Sequence, residues 1–230
     1  LLVGAYTDTV AFTNTTNGLG NCTRNVTLTV FANYDIRQVP FQWIDPSSHS
    51  VLALGDDDVS AAQSIPFEFR FYDRLCSLLY VSANGMVGFA PDGLTAYLNA
   101  DIPNASPPNG MLCPYWDDLN PASAGSVRIG TVGTAPNRKL VVSWVGVPHW
   151  SAPGSPITFQ VVLCEGSDDI VFQYLDVKPG DANYGGGRSA TIGVESARGV
   201  VGTKYSYQGS TPLANRTALL LTTRGPEIST

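Results

Sequence analysis

Ile65-Pro66-Phe67-Glu68-Phe69-Arg70-Phe71-Tyr72 is the stretch that decides the fold class. Phe67, Phe69 and Phe71 alternate with Glu68, Arg70 and Tyr72. A period of two places the three phenylalanines on one face of a half-buried strand. Downstream, Leu78 to Ala83 and Met86 to Ala90 flank Asn84-Gly85. That dipeptide accepts φ > 0 at both positions and reads as a two-residue hairpin turn. Further strands are expected at Val127–Ile129, Leu140–Val145, Ile157–Leu163, Ile170–Tyr174, Ala190–Glu195, Thr203–Tyr207 and Thr217–Thr222. Upstream, Val26, Leu28 and Val30 alternate with Thr27, Thr29 and Phe31. Apolar residues nowhere recur at helical spacing across three turns, and Pro91 to Pro114 reads as a long irregular loop. Short strands separated by turn signals imply an all-β chain. The expected architecture is a two-sheet antiparallel sandwich or jelly roll with an N-terminal strand extension. The pattern thickens around Pro40, so residues 1–39 are set apart as the extension and 40–230 as the sandwich domain.

Composition narrows the function classes. Hydrophobic residues make up 43% of the 230 and charged residues 14%, which excludes a disordered chain. The net charge is −6 and three residues are lysine, so the clustered cations that a phosphate backbone requires are absent. Neither nucleic acid nor an anionic membrane is an expected partner. No run approaches about 18 apolar residues, so membrane insertion is not expected either. Leu1-Leu2-Val3-Gly4 is too short for a signal-peptide core, and a start without Met reads as a mature or excised form.

Cys22, Cys76, Cys113 and Cys164 form no C-x-x-C pair, and His49 and His149 complete no zinc spacing. An even number of scattered cysteines suits two disulfides in an oxidising compartment; the other reading is four buried thiols. Sequons occur at Asn14, Asn21, Asn25, Asn104 and Asn215, three of them within twelve residues. Asn104 is the weakest, because Pro107 follows Ser106. Asn14, Asn21, Asn25 and Asn215 are therefore the expected glycan acceptors, and the chain is expected to be extracellular or at the cell surface.

Enzymatic chemistry finds little support. A serine triad needs a His beside the hydroxyl, and His49 and His149 both lie in turn-like contexts. Gly185-Gly186-Gly187-Arg188-Ser189-Ala190 matches a dinucleotide fingerprint in letters, but a strand-like Thr191-Ile192-Gly193-Val194 follows where a helix is required. It reads as a flexible hairpin loop. Asp56, Asp58 and Ser60 share one face of an extended segment, like the start of a calcium loop. Ala61 and Phe67 then stand where an EF-hand wants Gly and Glu. Two readings remain: a different calcium cage completed by Asp117, Asp118 or Asn120, or Asx capping of a turn. Calcium is the one cofactor considered. Among the tryptophans, Trp144 reads as core, and Trp150, in a Pro/Gly/Ser loop, is the candidate platform for stacking on a sugar.

Four stretches carry a family resemblance: Leu54-Gly55-Asp56-Asp57-Asp58-Val59-Ser60; Ile65 through Tyr72, running on to Leu79-Tyr80-Val81-Ser82-Ala83-Asn84-Gly85; Pro114-Tyr115-Trp116-Asp117-Asp118-Leu119-Asn120-Pro121; and Gly133 to Arg138. Phe159 to Leu163, followed by Gly166 to Tyr174, and Ile192-Gly193-Val194-Glu195 extend it. In this order they resemble an extracellular module of bacterial surface and secreted proteins, itself similar to the nidogen-type β domain. The resemblance spans about residues 41–223. It implies an antiparallel sandwich, an extracellular setting and no catalytic constellation. Cys76 and Cys164 depart from the module's pattern by replacing residues of its paired strands. Of the three possible connectivities this favours Cys76–Cys164 and leaves Cys22–Cys113.

Two functions are expected from these readings. The first is a structural, self-assembling surface or filament subunit, its partners copies of itself joined head-to-tail by N-terminal strand addition. Tyr6, Val10 and Phe12 share the strand face that would complement a neighbour. The alternative is an adhesive or carbohydrate-binding accessory module of a secreted protein.

Overall fold

The computed structural model describes residues 4–30 and 33–223. It divides into two compact units, residues 1–32 and 33–230. In the first, β1 (Gly4–Phe12) pairs with β2 (Cys22–Val30) along its full length, in antiparallel register from Gly4↔Val30 to Phe12↔Cys22. The loop between them is built from asparagine side chains: Asn14 Nδ2 donates to Asn17 Oδ1 and Leu19 O, and Asn14 N donates to Asn21 Oδ1.

The second unit is a sandwich. One sheet runs β3 (Asp35–Val39), β15 (Thr217–Thr222), β12 (Ile170–Asp176), β11 (Ala152–Cys164), β10 (Lys139–His149), β9 (Ser126–Val132) and β4 (Ser50–Leu52). The other runs β14 (Gly202–Tyr207), β13 (Thr191–Glu195), β8 (Met111–Trp116), β7 (Val87–Gly88), β6 (Arg74–Val81) and β5 (Gln63–Phe71). All pairs are antiparallel. The boundary expected at Pro40 lies earlier, because β3 pairs with β15 and so belongs to the sandwich. Among the described residues the helical content is one 3-10 turn at Gly185–Gly187, and no helix is long and apolar enough to cross a membrane.

The phenylalanine alternation does what the period of two requires. Phe67, Phe69 and Phe71 are buried, while Glu68 and Arg70 are exposed. The three phenylalanines belong to one buried core cluster with Trp144, Phe159 and Phe172 of the other sheet. Trp144 stacks on Phe159 at 4.9 Å and Tyr115 on Phe159 at 5.3 Å, the second pair bridging the two sheets. The polar tips of these side chains would be costly inside without partners. Each has one: across the sandwich Trp144 Nε1 donates to Ser82 O and Tyr174 OH to Pro114 O, while Tyr115 OH donates to Tyr184 O in the loop before Gly185. The two sheets are thus tied by directed bonds as well as by apolar contact.

Four sequence expectations need correction. No cysteine is bonded: Cys22, Cys76, Cys113 and Cys164 are all free thiols. Cys76 lies opposite Phe69 on β6 and Cys164 opposite Lys139 on the other sheet, while Cys113 lies opposite Gly193 and Cys22 opposite Phe12. None has a cysteine as its cross-strand neighbour. Burial pushes the thiols of Cys76, Cys113 and Cys164 upward, so they behave as small apolar core residues. The Gly185–Gly187 segment is not a flexible loop but a buried turn, with Gly187 N donating to Tyr115 OH. The irregular loop expected to run to Pro114 ends earlier, because Met111–Trp116 form the fully buried β8. Finally, the hairpin expected at Asn84-Gly85 is present, β6 pairing with β7, but its turn is not the two-residue type: Ser82 N donates to Met86 O, and only Gly85 has φ > 0.

One core group titrates near neutrality. Glu195 on β13 is fully buried; Asn104 N donates to its Oε1, and its Oε2 has no partner. Burial pushes its carboxyl up to about 7, opposed in part by the Asn104 bond. The folded chain therefore binds a proton that the unfolded chain has released, so stability declines as the pH rises from about 5 to about 8. Denaturant titrations of Glu195→Gln across that interval should give a flatter pH profile than the parent and a higher midpoint at the alkaline end.

Candidate functional site

The site is assembled on a buried asparagine. Asn84, in the turn between β6 and β7, uses every polar group it owns. Its N donates to Ser82 Oγ, its Nδ2 to Asp57 Oδ1 at 2.8 Å, its Oδ1 accepts from Leu119 N at 2.9 Å, and its O accepts from Asp117 N at 3.2 Å. One side chain therefore fixes the 56–58 loop and the 117–119 loop to the same point. Gly85 makes this approach feasible: a Cβ there would lie 1.9 Å from Tyr115 O, and its φ is +75°. The only residue without a Cβ fits, and its left-handed backbone is the one glycine adopts freely.

The loops so fixed carry the candidate residues. Asp57 adopts φ +55°, a left-handed conformation that Asp tolerates better than most side chains. Asp58 faces elsewhere, its Oδ2 accepting from Gly55 N at 2.6 Å, and its backbone O accepts from Ala83 N. Of the two sequence candidates for calcium, Asp58 thus follows the turn-capping reading, and Asp57 takes its place beside Asp56. Asp118 joins them, its backbone O accepting from Trp150 N at 2.8 Å. Carboxylate oxygens of Asp56, Asp57 and Asp118 lie within 4.8 Å of one another. The other residues considered for the cage are occupied: Asp117 accepts from Ser189 Oγ and faces His149, and Asn120 Oδ1 accepts from Ser123 N.

These three carboxylates line a cleft of about 250 Å³ together with Tyr97 and Trp150. Trp150 sits at the tip of the β10–β11 hairpin and is 59% exposed; Tyr97, from the segment between β7 and β8, is 47% exposed. Sequence reading found Trp150, Asp56 and Asp118. It missed Asp57 and Tyr97, the latter because a tyrosine inside a Pro/Asn-rich loop carries no periodic signal. Partial desolvation and the neighbouring acids raise the Asp56 carboxyl above its ordinary range. Asp118 is raised by burial first, then by Asp57, Asp56 and Asp117, with His149 pulling the other way. Like charges held this close favour whatever neutralises them, a proton or a cation.

Beneath the cleft, His149 is held rather than free. Ser151 N donates to its Nδ1, which leaves the proton of the neutral ring on Nε2, 3.4 Å from Asp117 Oδ1. Its ring stacks on Tyr184 at 3.8 Å. Ser189, Asp117 and His149 form a chain with the carboxylate in the middle. A triad needs the imidazole against the hydroxyl, so this order ties loops together instead of activating Ser189. His49 lies over Gly130, where a Cβ would come 2.4 Å from its ring, and burial lowers its pKa.

The glycan candidates divide by place. Asn14, Asn21, Asn25 and Asn215 are exposed and Asn104 is partly buried. Asn215 also braces the chain, its Oδ1 accepting from Val177 N and its Nδ2 donating to Asp176.

A family model described as NIDO related matches residues 33–226, which is the sandwich unit from its first described residue onward. No curated protein and no solved structure matches the chain.

Asn84→Ala would leave Asp57 without its donor and Leu119 N with only the Asp117 O bond, and should cost about 1–3 kcal/mol in chemical denaturation. The far-UV spectrum should be unchanged, because no strand is lost. An unaltered midpoint would mean that the asparagine does not hold the loops.

Proposed function

We propose that this chain, which belongs to the nidogen-related family, is an extracellular binding module that takes a polyhydroxylated, carbohydrate-like ligand in the cleft between Trp150, Tyr97 and the three carboxylates. The observation that carries this reading is the juxtaposition itself. Two large aromatic side chains stand exposed on loops tied to the sandwich by hydrogen bonds, Trp150 N donating to Asp118 O, and buried Trp116 Nε1 donating to Ala96 O beside Tyr97. Exposed aromatic surface is ordinarily buried during folding, so an exposed pair beside acceptors suits a ligand with apolar C–H faces and hydroxyl edges. Trp150 and Tyr97 would take the C–H faces. Asp56, Asp57 and Asp118 would accept from the hydroxyls, since ionised carboxylates are acceptors only.

Calcium fits the same place. It takes six to eight oxygens at roughly 2.3–2.6 Å, and three carboxylates supply charge while leaving positions for water or for ligand hydroxyls. A cation there would also relieve the mutual repulsion that raises the Asp56 and Asp118 carboxyls.

Self-association through the N-terminal unit is the second reading. It is favoured by the hairpin, whose Val10, Phe12, Val26 and Leu28 are all exposed. β1 is already paired with β2, so an added strand would have to join the hairpin's open edge.

A glycan array probed with the labelled chain, in calcium and in chelator, tests the first reading. Binding to neutral glycans is expected, with at least a tenfold loss in Trp150→Ala at unchanged thermal stability. Calcium alone should raise the melting temperature of the parent by roughly 3–5 °C at about ten times its dissociation constant, and leave Asp118→Asn unmoved. Equal glycan binding by parent and Trp150→Ala would contradict the proposal.

A further inference from the structure

Residues directly opposite in an antiparallel pair share a face, and successive pairs alternate between faces. The register of β1 and β2 therefore sorts the hairpin's two sides. One carries the pairs Gly4↔Val30, Tyr6↔Leu28, Asp8↔Val26, Val10↔Arg24 and Phe12↔Cys22. The other carries Thr7↔Thr27, Thr9↔Asn25 and Ala11↔Thr23. The first side is apolar apart from one acid and one base; Phe12 is 55% exposed and Leu28 is 51% exposed. The second is small and polar and holds the sequon residue Asn25, so a glycan there would leave the apolar side clear. A two-stranded hairpin alone is at best marginally stable in water, and covering an apolar face is the usual remedy.

The two charges say what covers it. Asp8 and Arg24 occupy adjacent pairs of this face, one on each strand, so they lie diagonally across it, with Tyr6↔Leu28 beyond one and Phe12↔Cys22 beyond the other. Their bonds among the described residues are local: Thr9 N donates to Asp8 Oδ1 at 2.7 Å, and Arg24 Nη1 donates to Thr23 O at 3.1 Å. Oδ2 of the acid and Nη2 of the base remain for a partner. A two-fold axis that lies in the plane of contact, midway between the two charges and at right angles to the line joining them, exchanges the two sites across the interface. It sets each Asp8 against the Arg24 of a second copy and closes Val10, Phe12, Val26 and Leu28 on their counterparts.

We propose that the apolar face of the β1–β2 hairpin docks the same face of a second copy of this chain, with Asp8 of each opposite Arg24 of the other. This rests on the self-association reading above and replaces its head-to-tail geometry with an isologous one. An isologous contact closes on itself and gives a dimer, where head-to-tail addition gives a ring or a filament. Partly buried charge pairs of this kind fix the register of an interface, and reversing one partner sets like charges together.

The test is sedimentation equilibrium of the full chain and five variants. The parent should be a dimer. Asp8→Arg alone and Arg24→Asp alone should each weaken association at least tenfold, and the double reversal should recover most of the loss. Val10→Lys should also give monomers, independently of the charge pair. A monomeric parent overturns this proposal and the self-association reading together. A dimer that persists through both single reversals overturns the face pairing but leaves self-association standing, as does growth into polymers without limit. Trp150→Ala should dimerise like the parent, which keeps this outcome separate from that of the cleft.

Discussion

A single buried amide organises the loops of this sandwich. Asn84 has four polar groups and all four are bonded, one within its own turn and three to loops far away in sequence. A buried amide left unsatisfied would cost free energy comparable to the bonds it could have made. The arrangement is therefore all or none: either the 56–58 and 117–119 loops are in place or the asparagine is stranded. Gly85 adds a steric condition, since Tyr115 O occupies the space that any side chain would need. Trp150 follows at one remove, because its amide donates to Asp118 O. The acids and the aromatic ring share a cleft because they share this support.

The inner surface of the sandwich applies the same rule on a larger scale. Tyr115, Trp144 and Tyr174 fill the space between the sheets, and each sends a donor to a backbone carbonyl. Their rings contribute apolar burial, while their polar tips fix which carbonyl lies opposite. Register between the sheets is thus specified twice, by volume and by hydrogen bond. The cysteines contribute to this interior as thiols, with Cys113 and Cys76 buried among apolar neighbours.

Fold class was legible in the sequence because the Phe67–Phe71 alternation is a direct image of a strand with one buried face. The shorter elements were not. β3 and β4 are edge strands of five and three residues with little burial, so their patterns carry little contrast. β8 is buried on every residue, so it has no alternation to read, and Pro114 inside it looks like a breaker. Asn84-Gly85 marked the hairpin between β6 and β7 but not its turn type or its burial. The dipeptide that commonly marks an exposed turn also suits a buried one, where Gly meets a steric demand and Asn a hydrogen-bonding one. In the site, Trp150 was found through its loop context and Asp56 through the acidic run. Which of three consecutive aspartates faces the cleft depends on the left-handed backbone at Asp57, which no sequence pattern announces.

Native-state hydrogen exchange at the amide of Leu119 tests the central claim most directly. That N–H is shared between Asn84 Oδ1 and Asp117 O, in a loop that would otherwise exchange quickly. If the buried asparagine holds the loops as a unit with the sandwich, Leu119 should exchange through global opening, at the free energy of the β8 and β10 amides. Exchange at the rate of an open surface loop, many orders of magnitude faster than those strands, would contradict the account.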